Sequence, residues 1–449
     1  MSSTKRELNL YSFYDHTGIA RHLEELAAKG WMLEKFSTNG LFRYRREDPR
    51  PVHYAVTYFP KASNFDPAPS EGQQEFTALC AAAGWEFVGQ SFQMQIFRNE
   101  AEHPVPLDTE PAVQVENIHS AMKSNFLPGS AILMALSLLQ IVMGCTQLVK
   151  YPLHTLASVT IFTPLLYLLL LLQLGIDVGA YFRWHKRARR SAAEEGRFLP
   201  TYAPRWRQVW LLTVLAVVLA LYAASAGVKY LAVFGMILVV YFLAAGLSRL
   251  ATRLMKRFHF STGVNRFLTI ALSVAVMLAG VSFMTYRATK GNWFLPHRVE
   301  TETYEWHGAT ITVYHDDLPL SLEDLTGYDD YDYSSTLSQT SSLLLREITA
   351  YQRPSGKRTL AQGQPERLSY TLWASPFDAM LELAEAERTK NGGYTAIDPT
   401  PWGAEKAWQD QEDADCYLLR YETCLASITF DFSPTGEQMA ITAEKLRNA

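Results

Sequence analysis

The chain has 449 residues, a formal net charge of −4, and 19% charged against 48% hydrophobic residues; its mean hydropathy is −0.06. These averages exclude a wholly disordered chain, a collagen and a histone-like basic binder. Four cysteines exclude a disulfide-dense secreted scaffold.

The first elements read as a compact α+β head over residues 1–105. A strand is expected at 9–13, followed by Asp15 as the N-cap of a helix that places Ile19, Leu23 and Leu26 on one face. Gly30 suits the position after that helix. Strands are expected at 31–36, 41–46 and 53–59, a helix over 71–83 that stops at Gly84, and strands at 85–89 and 92–98. The stretch from Glu25 to Trp31 is echoed from Leu79 to Trp85, and each copy is followed by a Phe-Arg pair, Phe42-Arg43 and Phe97-Arg98. Two helix–Gly-Trp–hairpin modules predict a ferredoxin-like α/β sandwich. Trp31 and Trp85 are expected to pin each helix to its sheet, and Gly30 and Gly84 to turn the chain. A head of this kind suits docking of a protein partner or sensing of a ligand.

Tyr14-Asp15, Leu26-Ala27-Ala28-Lys29-Gly30-Trp31, Phe42-Arg43-Tyr44 and Ala83-Gly84-Trp85 together resemble bacterial multi-pass membrane proteins carrying domain of unknown function 2812, over residues 5–100. The resemblance implies a bacterial cell membrane, brings no activity with it, and hints at signalling.

Residues 106–129 are expected as a linker, because Pro104, Pro106 and Pro111 make poor helix interiors. Five apolar runs follow, at 130–149, 161–180, 209–226, 230–248 and 267–286. Each is close to the roughly 20 residues that cross a bilayer. No cleaved leader is expected, since residues 1–10 are polar and no apolar run follows them. The loops between the spans carry 1, 8, 1 and 5 Lys plus Arg in order. Basic loops stay in the cytoplasm, so the N-terminus is expected inside and the C-terminus outside. Residues 291–449 hold 26 acids and 12 bases, a net of −14, which leaves +10 for the rest. The positive half fits topology and anionic lipid rather than nucleic acid.

Asp177 is the one charged residue within any run, and an intramembrane carboxylate is a candidate functional group. Its nearness to Arg183 also fits an interfacial ion pair. Gln140, Gln147 and Gln173 could act as hydrogen-bonding glue or a polar path. Alanines at 216, 220 and 224, and at 271, 275 and 279, predict close helix contact. Residues 249–258 read as a basic amphipathic extension of the fourth span.

Residues 291–449 are expected to form an acidic extracytoplasmic α+β domain. Strands are expected at 310–314, 342–351, 367–373, 416–421 and 425–432, a helix over 376–388 behind Ser375, and a last helix with Pro434 in its first position. Asp329, Asp330 and Asp332 form an acidic loop with neighbouring tyrosines, a candidate site for a cationic peptide or other ligand. His297, His307 and His315 read as surface residues. A turn at Glu422-Thr423 sets Cys416 opposite residue 428 or 429, too far from Cys424 for a disulfide. No cofactor or metal motif and no hydrolase or phosphate-binding signature occurs. The expected function is therefore non-enzymatic signalling between an outer sensor and a cytoplasmic head. The alternative is a transport or lipid-handling accessory role built on Asp177.

Overall fold

Two copies of one βαββ unit build the N-terminal region. In the first, β1 (Thr4–Leu8) leads to α1 (His16–Ala27), β2 (Trp31–Phe36) and β3 (Leu41–Arg46); in the second, β4 (His53–Tyr58) leads to α2 (Glu71–Ala82), β5 (Glu86–Ser91) and β6 (Met94–Asn99). The sheets have the orders β1-β3-β2 and β4-β6-β5, with every pairing antiparallel. The echo in the sequence is thus an echo in topology, down to its irregularities. Each hairpin carries a register shift at the same offset from its glycine, between Leu33 and Lys35 and between Phe87 and Gly89. The expected ferredoxin-like sandwich is corrected by this pairing. Such a fold interleaves its two halves in one sheet, whereas here each central strand is bonded on both sides within its own repeat.

This computed structural model describes residues 3–8, 11–36, 41–107, 110–201, 206–290, 300–306, 309–327, 333–356, 364–390 and 393–447. The chain forms two units: Met1–Ile141, Leu165–Leu219 and Gly235–Val281 make one, and Val142–Pro164, Ala220–Phe234 and Ser282–Ala449 the other.

In the first unit the helix starts follow their caps. The Asp15 side chain accepts from the Gly18 N–H, and that of Ser70 from the Gln73 N–H. Ile19, Leu23 and Leu26 are buried as their spacing predicts. The first strand lies at Thr4–Leu8 rather than 9–13. Its Thr-Lys-Arg-Glu-Leu sequence has no apolar alternation, so backbone pairing to β3 and charge contacts hold it, among them Glu7 to His22 at 2.9 Å. The expected linker is helical from Pro111. Its ring sits in the first turn of α3 (Pro111–Ala121), where a missing N–H costs nothing. One π-helical turn, Met122–Phe126, joins α3 to α4 (Leu127–Lys150).

After a short α5 (Pro152–Ala157) come α6 (Phe162–Glu194), α7 (Trp206–Arg257) and α8 (Thr262–Lys290). Four stretches among the described residues are long and apolar enough to cross a membrane: Pro111–Lys150, Val159–Glu194, Gly235–Arg257 and Thr262–Tyr286, with a shorter apolar helix at Leu212–Ala224. The break expected at residues 227–229 is absent from the backbone, which stays helical through α7. Gly227 is the sole helix breaker there, and no proline enforces a stop. Ser248 and Ser273 hydroxyls meet at 2.7 Å, and Thr252 and Thr269 hydroxyls at 3.1 Å, between α7 and α8. The alanine stripes at 216, 220 and 224 and at 271, 275 and 279 do not make this contact; they face outward.

The second unit is built on a nine-stranded sheet of order β12-β13-β14-β15-β11-β10-β9-β8-β7. The strands are β7 (Glu300–Trp306), β8 (Ala309–His315), β9 (Tyr333–Ser341), β10 (Arg346–Pro354), β11 (Leu368–Ala374), β12 (Tyr394–Ile397), β13 (Lys406–Asp410), β14 (Cys416–Arg420) and β15 (Cys424–Phe430). Only β8 and β9 pair in parallel among the described strands. Helices α9 (Leu322–Thr326), α10 (Asp378–Thr389) and α11 (Gly436–Arg447) complete it. Ser375 shapes the turn before α10, accepting from the Phe377 N–H, but is not the cap of that helix. Thr435, not Pro434, sits at the start of α11, exchanging hydrogen bonds with Gln438. Cys416 pairs with Thr429, as the turn geometry predicts, and both it and Cys424 are free thiols.

Candidate functional site

The candidate membrane helices run on past their apolar stretches, and their ends are built into the folded units. α6 has 33 residues, about 50 Å of helix, against roughly 20 residues for a crossing. Its last turns enter the core of the first unit. Tyr181, Trp184 and Ala188 are buried with Tyr14, Leu23 and Tyr58, and Val115, Ile118 and Met122 join them from α3 and the π-turn. A π-turn carries one residue more than the α-helical repeat, and such turns recur at functional positions. This one also touches the second repeat, since Asn125 Nδ2 donates to Gln93 Oε1.

One stripe of α6 is polar at every fourth residue: Gln173, Asp177, Tyr181 and His185. That spacing stacks side chains on one helix face. Gln173 donates to the Asp177 carboxylate at 3.0 Å. The Tyr181 hydroxyl meets His119 Nδ1 at 2.6 Å, and the His119 ring stacks on His185 with centroids 4.2 Å apart. His185 Nε2 is buried without a hydrogen-bond partner. Asp177 thus faces the inner stripe, not the cationic side of Arg183. Six residues turn the helix by roughly 600°, which leaves the two about 120° apart.

Beyond α6 the chain doubles back and clasps the start of α1. Thr17 N–H donates to Thr201 Oγ1 at 3.1 Å, and Thr201 N–H to Thr17 Oγ1 at 3.2 Å. His16 lies beneath this clasp, with Phe198 and Tyr58 edge-on to its ring. Its Nδ1 is 3.3 Å from the Tyr14 carbonyl, which can only accept, so Nδ1 carries the proton. Burial pushes His16 down to about 4, and the Tyr14 carbonyl opposes this. The imidazole is therefore neutral at pH 7. Burial raises the Tyr58 phenol, helped by the nearby Asp15 carboxylate. On another side, Thr262 donates to Asp66 and Asn265 to the Phe65 carbonyl, both at 2.8 Å. No group of three or more metal-ligating side chains occurs among the described residues.

Residues 16–127 match the family described as Protein of unknown function (DUF2812). Over these residues the chain is similar to that family. The match runs from His16, under the clasp, through both Gly-Trp modules and α3 to the first residue of α4. The α1 and α3 side of the junction thus lies within the matched residues, and its α6 side lies outside them. No curated protein and no solved structure matches the chain.

The other residues singled out from sequence fall as follows. Trp85 is buried against Cys80 and Phe97, and its indole N–H donates to the Val105 carbonyl at 2.8 Å. Trp31 is half-buried beneath the Arg46 guanidinium, 5.1 Å from the ring centre. Gly30 and Gly84 have φ of +80° and +85°. Asp329, Asp330, Asp332, His297 and His307 lie outside the described residues. His119, His185 and His16 were not legible as a group. Only His185 carries a sequence signal, the fourfold spacing on α6, and nothing in the sequence pairs α3 with α6.

The second unit has its own fusion to the membrane segment. Leu153 and Ala157 of α5 are buried in one core with Leu345, Trp373, Leu418 and Leu425. His154 contacts Glu347 at 2.8 Å, and the Ser342 hydroxyl donates to the Leu156 carbonyl at 2.5 Å.

Proposed function

We propose that this is a non-enzymatic regulatory protein of a bacterial cell membrane, carrying a conformational signal along α4 and α6 between an outer sensor domain and a cytoplasmic DUF2812 head. The observation that carries the reading is the fusion of membrane helices to both cores: α3 and α6 in the head, α5 in the C-terminal unit. A tethered domain needs no such packing. A domain whose core contains the helix ends must respond when those helices shift.

Five crossings fit the contacts. The chain before α7 is held by Thr17, and the chain after it by Asp66 and Phe65, all on the head. Fifty-two helical residues would extend about 78 Å if straight. A domain of 100 residues has a radius of gyration of only about 13 Å. To cross twice, α7 would have to bend back within the membrane, although its backbone is helical from end to end. The loops bearing 8 and 5 basic residues lie beside the head, which favours a cytoplasmic head and an outer C-terminus. An outer domain of net −14 would favour a cationic ligand.

The head would report through its own exposed surface, where Leu79 and Phe87 are open to solvent. Photo-crosslinkers placed at these positions in cells should capture a specific protein, with recovery altered by Leu153→Ala on the far side. Absence of any specific product at both positions, or recovery indifferent to Leu153, would count against the reading.

A further inference from the structure

α6 has a second face, opposite its polar stripe. Arg183, Lys186, Arg187 and Arg190 follow the i, i+3, i+4, i+7 pattern, an arc of roughly 100°. All four are exposed. Arg190 lies 3.9 Å from Glu194, while Arg183, Lys186 and Arg187 have no carboxylate within ion-pair distance among the described residues. Together they line a cavity of about 490 Å³, closed on one side by Leu199, with Glu195 as its one acidic wall residue. A cluster of four cations, three of them without an ion-pair partner among the described residues, is self-repelling, and it stabilises whatever anion enters.

The depth of these cations selects the anion. The apolar run ends at Ala180. At about 1.5 Å per residue, Arg183, Lys186 and Arg187 stand roughly 5–10 Å beyond it, level with lipid phosphates, which lie some 5–8 Å outside the hydrocarbon. Below them the same face turns apolar and shallow. Gly179 and Gly175 have open space where a side chain would be, flanked by exposed Ile176 and Leu172. A free phosphate would use the cations alone. A cationic cup over an apolar, glycine-lined strip fits a molecule with a phosphate at one end and acyl chains at the other.

We propose that this face of α6 holds an anionic glycerophospholipid from the leaflet nearest the head, its phosphate among Arg183, Lys186, Arg187 and Arg190 and an acyl chain along Gly179 and Gly175. The proposal rests on α6 crossing a membrane and not on the signalling role. The opposite face of the same turns, Tyr181, Trp184 and Ala188, is packed in the head core. A bound lipid would therefore brace the helix that the head grips.

The test uses the full-length protein purified in detergent, with lipid retention read by native mass spectrometry and thermal stability read alongside. Phosphatidylglycerol should be retained over phosphatidylcholine and should raise the melting temperature. Inorganic phosphate should do neither. The paired change Lys186→Gln/Arg187→Gln should lower phosphatidylglycerol affinity by about thirty-fold, at about 1 kcal/mol per surface cation. Removing two charges off this face, Arg189→Gln/Arg197→Gln, should leave it unchanged. Gly179→Leu, which keeps every charge, should weaken retention by filling the strip. Equal losses in the two charge pairs, equal retention of the two lipids, or replacement by inorganic phosphate would each overturn the proposal.

Discussion

At the scale of single residues, the head makes two measurable demands. His16 titrates at about 4 when folded, against 6.5 when exposed. Between these values the unfolded chain binds a proton that the folded chain refuses. Stability is therefore fully present above pH 6.5 and lost as the pH falls towards 4, by about 3 kcal/mol in all. Melting curves from pH 7.5 to 4.5 should show the head weakening over that window, and His16→Gln should flatten this dependence. A melting temperature that stays constant down to pH 4.5 would contradict the burial of a neutral imidazole. The paired glycines give a second, differential expectation. Both are left-handed, so an alanine costs about 1 kcal/mol at either. At Gly30 the new Cβ would also sit 2.6 Å from the backbone carbonyl of Glu47, whereas at Gly84 it meets only the movable Asn99 side chain at 3.3 Å. Gly30→Ala should cost at least about 3 kcal/mol in chemical denaturation and Gly84→Ala about 1, using the strain costs of tight backbone contact.

Among the elements, helices and the Gly-Trp hairpins were legible because capping, fourfold apolar spacing and glycine stops are local signals. β2, β3 and the two head helices lie within a residue or two of their expected bounds. What escaped was set by long-range pairing. β1 is a charged strand that exists because β3 offers it a ladder. β7, β9, β12 and β13 complete a wide, mostly antiparallel sheet, and their polar sequences carry little alternation. α3 reads as a linker from its sequence because Pro111 follows Pro104 and Pro106, yet a proline at the first turn begins a helix as readily as it breaks one. The candidate junction was hidden for the same reason. Asp177 was visible as an isolated charge, yet His119, which meets Tyr181 on the next turn of the same stripe, comes from an element that only tertiary packing brings to α6. α7 tests the reading of the membrane segment. In a chain without its four cysteines, Gly196→Cys and His259→Cys should react with an impermeant thiol reagent from the same side, and Tyr151→Cys from the other. Labelling of 196 and 259 from opposite sides would mean that α7 crosses once.

For the whole molecule, the near-neutral charge of −4 conceals a basic membrane-and-head half and an acidic C-terminal half. Each half is folded around its own piece of the membrane segment, so neither behaves as a cargo on a string. In this chain the core of the first unit is completed by the ends of long apolar helices. Local unfolding energies in such a domain depend on how those helices are held. The central claim is that the α5 dock and the head junction are coupled through α4 and α6. The direct measurement is amide hydrogen exchange on the full-length protein in lipid nanodiscs, comparing the natural sequence with Leu153→Ala, which opens a cavity where α5 docks. The account predicts faster exchange not only in β10 and β11 but also in residues 115–126 and 181–201. Unchanged exchange in those two head segments, with α5 itself loosened, would contradict it.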